Sequence, residues 1–281
     1  MTPVTPRRLY LIGQLLLLMP PVAFLIVLGF VSPITQPESY HAFADHRRLL
    51  GIPNFWNVIS NLPFVVAGLF GLRTFRDLGS RLLFAGIFLT TFGSAYYHWA
   101  PDTARLLWDR VPMTVAFMSL PVLVLQISFF PTAGRWLLLP MVAAGLLSLV
   151  WWRMTADLRF YLLVQLLPLL LIPVALLAFP IPAGRKLWLA LGLYALAKCA
   201  ELLDVSIYSA IHFSGHTVKH LLAGLSCWCI YLWRRDANTM FQMSLALRKI
   251  GRGAVPNPAA SGRGQPANFE EKRRQDGGGT K

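Results

Sequence analysis

Residues 160–179 read FYLLVQLLPLLLIPVALLAF, a stretch without one charged side chain. About 20 apolar residues wound as an α-helix cross a hydrocarbon core of about 30 Å, so this segment predicts a membrane span. Similar runs lie on both sides of it. Toward the N-terminus they are Trp136–Trp152, Trp108–Phe130, Leu82–Trp99, Phe55–Leu72 and Leu9–Val31; toward the C-terminus they are Leu187–Ala210 and His216–Trp233. Short charged or Pro/Gly-rich breaks separate them, as expected of loops between spans. The expected fold is an all-α, multi-pass transmembrane helical bundle, with a seven-helix core and one extra N-terminal span. This divides the chain into an anchor helix at 1–32, a membrane core at 33–235 and a basic, disordered tail at 236–281.

Composition agrees with lipid as the solvent. The chain of 281 residues is 56% hydrophobic and 14% charged, outside the balance of soluble globular domains. A net charge of +14 would suggest nucleic acid in a soluble protein. Here the basic residues follow topology instead. Arg7, Arg8, Arg73, Arg76, Arg81, Arg135, Arg185, Lys186, Arg234 and Arg235 fall on the side of the two termini, together with the tail. The opposite loops and their edges hold fewer, among them Arg47, Arg48, Arg105 and Arg159. Both termini are therefore expected in the cytoplasm, with no nucleic-acid partner. The first span follows Arg7 and Arg8 as a signal peptide would, but its length and the lack of a small-x-small cleavage site favour a retained anchor. Cys199, Cys227 and Cys229 are odd in number and lie within spans, which indicates neither a disulfide framework nor a cysteine zinc site.

Under this topology His41, His46, His98, His212, His216 and His220 all fall at the non-cytoplasmic rim. One histidine at an interface is usually a packing residue, whereas several at one rim of a membrane protein point to a site. Within Gly215-His216-Thr217-Val218-Lys219-His220, the two imidazoles lie one helical turn, about 6 Å, apart on one face and can share a metal ion. Gly93-Ser94-Ala95-Tyr96-Tyr97-His98 likewise puts Ser94 and His98 on one face. Asp109 is expected to open the next helix. Three neutral imidazoles with a fourth position open form the usual catalytic zinc arrangement. A carboxylate such as Asp109 can serve as general base, and a hydroxyl such as Ser94 can stabilise an oxyanion. The plainer alternatives are that Asp109 caps its helix or pairs with Arg105 or Arg110, and that Ser94 packs between helices. His212, one turn before His216, is a competing ligand. Lys198, Glu201 and Asp204 share a face of the seventh span, with Lys198 and Glu201 as a neutralised structural pair or the group as a proton relay. Lys219 either joins them or snorkels outward.

Taken together, these pieces resemble the alkaline ceramidase family, and the wider superfamily that includes progestin and adiponectin receptors and GPI-remodelling lipid hydrolases. The resemblance rests on Phe55-Trp56-Asn57-Val58-Ile59-Ser60-Asn61, on Gly93-Ser94 through His98, on Asp109-Arg110-Val111-Pro112-Met113, and on His216 through His220 followed by Leu221-Leu222-Ala223-Gly224. It covers roughly residues 40–233. It implies zinc held by His98, His216 and His220, a water near Asp109, Ser94 at the carbonyl oxygen, and hydrolysis of the amide bond of ceramide or a related N-acyl lipid. Several members also bind Ca²⁺ through carboxylates, but here only Glu38 and Asp45 stand near the Phe55 opening, too few for a hard cation. Calcium is therefore doubtful. A receptor-like protein with a structural zinc, an esterase of the same superfamily and a charge-path carrier are the other readings.

Overall fold

The computed structural model describes Met19, Val22, Ala23 and residues 25–128 and 132–253. The chain divides into two units, Met1–Asn238 and Thr239–Lys281. The first unit carries the bundle and the site; of the second, the structure describes residues 239–253. After a 3₁₀ turn at Glu38–His41 come α1 (Phe55–Ile59), α2 (Leu62–Thr74), α3 (Leu78–Trp99), α4 (Thr103–Ser128), α5 (Ala133–Trp136), α6 (Leu138–Thr155), α7 (Arg159–Ala178), α8 (Arg185–Leu202), α9 (Asp204–Ile211) and α10 (Gly215–Gly253). No strand occurs among the described residues. The protein is a helical bundle.

Five helical segments are long and apolar enough to cross a membrane: Phe55–Thr74, Leu78–Trp99, Thr103–Ser128, Leu138–Thr155 and Arg159–Ala178. They coincide with the second to sixth expected spans. Their outward faces are apolar, with Leu89, Phe92, Leu147 and Leu177 exposed, as a hydrocarbon surround requires. The expected anchor at 1–32 lies mostly outside the described residues. Its last part, helical over 25–30, ends against Arg159, whose Nη1 donates to the carbonyls of Leu28 (3.0 Å) and Val31 (2.6 Å).

Three boundaries differ from expectation, each for a local reason. The helix carrying Asp109 begins at Thr103, not near Trp108, because Asp102 Oδ1 accepts from the Arg105 amide at 2.6 Å and starts the helix earlier. The seventh run, 187–210, is two helices that meet at Leu203, where Asp204 turns its carboxylate to other segments. The last helix continues past Asp236 to Gly253, so residues 236–253 are helical and only 254–281 of the expected tail lie outside the described residues. Between Asp236 and Gly251 the sequence contains neither Gly nor Pro to stop a helix.

α3 and α4 pack against each other along their length, and a glycine permits a close approach. A Cβ at Gly93 would collide with the Trp108 carbonyl oxygen, so any larger residue there would push the two helices apart. This contact sets Ser94 of α3 beside the turn of α4 that bears Asp109. At Gly215 a Cβ would meet the Ala200 carbonyl and the Asp204 backbone, which locks the start of α10 against α8 and α9.

Candidate metal centre

Asn57 is the hidden organiser of the site. Fully buried, it accepts hydrogen bonds at Oδ1 from the hydroxyls of Ser214 (2.9 Å) and Thr217 (2.8 Å). Ser214 Oγ in turn accepts from the Thr217 amide at 3.0 Å and caps α10. Asp204 fixes the same turn, taking the His216 amide on Oδ1 (3.0 Å) and the Ala44 amide on Oδ2 (2.8 Å). The first turn of α10, with His216 and His220 on its inner face, is thereby held before any ion is considered.

His98, at the end of α3, meets this pair. All three histidines are buried, and one nitrogen from each lies within 4.8 Å of the others. The Nε2 atoms of His98 and His216 are 3.2 Å apart. Two ligand nitrogens around a tetrahedral zinc stand about 3.4 Å apart, so the spacing suits a shared ion. The Ser60 hydroxyl lies 2.8 Å from His220 Nδ1 and orients that ring, as outer partners of metal-bound imidazoles commonly do. Glu201 Oε1 is 3.9 Å from His216 Nδ1, too far for a hydrogen bond. Phe43 covers the cluster, with ring centroids 4.8 Å from His98 and 4.4 Å from His216. A buried set of three imidazoles fits Zn²⁺ and equally other imidazole-seeking transition metals. The group could thus bind a metal ion.

The remaining histidines do other work. His41 bonds the Tyr97 hydroxyl (2.8 Å) and the Thr103 hydroxyl (3.0 Å), and burial lowers its pKa below the usual imidazole value. His46 Nδ1 contacts Asn54 Oδ1 at 3.3 Å. His212 ends α9 in the left-handed region with φ 58°, its ring exposed, and is not part of the cluster.

Ser94 and Asp109 are both buried and line one cavity together with Lys219 and His220. Asp109 does not cap α4, since it lies well inside that helix. Arg105 pairs with Asp102 instead. The Ser94 hydroxyl neighbours the Asp109 carboxylate, and Asp109 Oδ1 has no hydrogen-bond partner among the described residues. From this polar head the cavity, about 130 Å³, runs between apolar walls to Leu83, Leu120, Ile172 and Ile230. Along α3 alone, from Ser94 to Leu83, that is about 16 Å, the scale of a lipid chain.

The charged face of α8 resolves into two groups. Glu201 binds both Lys198 and Lys219, and the Tyr40 hydroxyl lies 3.5 Å from Oε1. Asp204 stands apart in its bridging role. Asp45, one of the two carboxylates considered for calcium, is committed to Arg47 through contacts of 2.9 and 2.6 Å. Burial alone would raise its pKa, but the Arg47 hydrogen bonds outweigh it and hold the carboxyl below the usual range. Sequence reasoning missed Phe43, Asn57, Ser60 and Asp204 as supports. The signals for Asn57 and Ser60 were their polarity inside an apolar run and their place in the Phe55–Asn61 motif, neither of which assigns them a supporting role.

No protein-family model matches the chain and no curated protein matches it, so what the site can do is argued from its own residues.

Proposed function

We propose that the protein is a zinc-dependent membrane hydrolase that cleaves the amide bond of ceramide or a related N-acyl lipid. The observation that supports this most is the meeting of three buried imidazoles, one of which, His220, lines an apolar-walled cavity together with Ser94 and with Asp109, whose Oδ1 has no partner among the described residues. His98, His216 and His220 would hold the metal. Zinc at that place supplies Lewis acidity, which polarises a carbonyl and acidifies a water near neutral pH. Asp109, with Oδ1 unengaged, takes the proton of the attacking water and returns it to the departing amine. Ser94 donates its hydroxyl to the oxygen that gains charge as the carbonyl is attacked. Phe43 keeps bulk water off the imidazoles, and the apolar walls receive the acyl chain. With both termini in the cytoplasm, the reaction takes place toward the opposite leaflet.

The test is metal analysis together with turnover. Purified protein should contain about one zinc per chain and release fatty acid from ceramide, with loss on chelation and recovery on re-addition. Hydrolysis that persists in a metal-free preparation would remove the mechanism. A zinc-loaded protein inert toward every N-acyl lipid tried would favour a structural zinc in a receptor-like protein.

A further inference from the structure

Arg110 sits one residue beyond Asp109 and only 5% of it is exposed. Its guanidinium lies over the rings of Trp152 (4.3 Å) and Tyr161 (4.6 Å), and Nη2 donates to Gln36 Oε1 at 2.6 Å. Nη1 is buried and has no hydrogen-bond partner among the described residues. No carboxylate among those residues forms an ion pair with it, since the pairs of this region are Arg105 with Asp102 and Lys198 and Lys219 with Glu201. A guanidinium cannot shed its proton to escape burial. Its aromatic neighbours offset part of the desolvation and fix the plane of the fork, but they supply no hydrogen-bond acceptor.

The charge of the whole cavity head points the same way. Arg110, Lys198 and Lys219 line it, against the carboxylates Asp109 and Glu201, which leaves one positive charge unmatched. We propose that Arg110 is the receptor for an anionic group, a carboxylate or a phosphate, carried by the lipid that enters this cavity, so that acidic lipids are bound in preference to neutral ones. Nη1 is the donor left for that group, held in place by Gln36 on one side and the two rings on the others. A charge-assisted bond made where water is scarce discriminates strongly between an anion and an alcohol of equal chain length. The inference rests on the lipid-cavity part of the proposed function and is independent of hydrolysis.

The experiment measures binding to the full-length protein in uncharged detergent, at mildly alkaline pH where carboxylates are ionised. The probes are palmitate, hexadecyl phosphate and hexadecanol, each competing against a fluorescent acyl chain. The wild type should bind at least one of the two anions about ten-fold tighter than the alcohol, and the tighter one identifies the group recognised. Arg110→Gln should bring anion and alcohol to within about two-fold with little change for the alcohol, and Arg110→Lys should keep part of the preference. Gln36→Glu, which places an internal anion against the same guanidinium and leaves its packing intact, should also weaken the preference. His98→Ala, which disables the imidazole cluster, should retain it. Equal binding of all three probes by the wild type overturns the proposal, as does a preference that survives Arg110→Gln. A preference lost in His98→Ala but kept in Arg110→Gln also overturns it and moves the anion to the histidines. None of these readings uses zinc content or turnover, so failure of the hydrolase reading is seen separately.

Discussion

Glu201 and Asp109 are two carboxylates at the same end of the bundle with opposite surroundings. Glu201 is saturated by the ammonium groups of Lys198 and Lys219, with the Tyr40 hydroxyl nearby. Asp109 has Ser94 as a neighbour and one oxygen without a partner among the described residues. Charge buried in a membrane protein must be neutralised or it is costly, so the first group reads as completed scaffold. An acceptor left open on the cavity that His220 also lines keeps its capacity for a water or a substrate. The contrast separates residues that hold the bundle from residues available for chemistry.

Substitutions at the open group should act on turnover, and those at the saturated group on stability. The largest effect is expected for His98→Ala and His216→Ala, which should lose the metal and lower fatty-acid release by about a thousand-fold or more, read by elemental analysis and lipid assay. Asp109→Asn should retain the metal while turnover falls about 10²- to 10⁴-fold; full activity in this variant would erase the contrast with Glu201. Ser94→Ala should cost about 10²-fold with the metal unchanged. Glu201→Gln leaves two lysines without their counterion, and thermal unfolding should show a loss of about 3 kcal/mol while turnover per folded molecule stays within about two-fold. A Glu201→Gln variant that folds normally but no longer turns over would move Glu201 into the chemistry.

The smallest effect lies outside the membrane. Arg159 hydrogen-bonds Asp157 in the α6–α7 loop and holds its pKa down at about 2, below the unfolded value. Because the folded pKa is the lower one, the stabilisation is present above about pH 4 and fades as pH falls toward 2. Asp157→Asn should therefore lower the melting temperature modestly at neutral pH and flatten the acid limb of the profile, so that variant and wild type converge as pH falls toward 2.

What could be read in advance divides along physical lines. Span length and apolarity are local, so the helices from Phe55 to Ala178 were legible, and periodicity sufficed to pair Lys198 with Glu201. His216 and His220 follow from one turn of helix. The arrival of His98 beside them depends on α3 and α10 meeting, which spacing within either helix does not encode. Arg110 was one candidate partner for Asp109, yet it turns to Gln36, Trp152 and Tyr161, residues remote in sequence. Asp204 was grouped with its helical neighbours because a helix face is periodic. Its actual partners, the amides of Ala44 and His216, come from other segments.

Those two bonds to Asp204 have a mechanical consequence. The strap bearing Phe43 and Ala44 lies over the imidazoles, and the same carboxylate that fastens it also anchors the backbone of His216. Peeling the strap away would tug on a prospective ligand, so a guest that enters by lifting it would loosen the ion on arrival. A lateral doorway between helices, through which a lipid tail slides while the clasp stays shut, avoids that penalty.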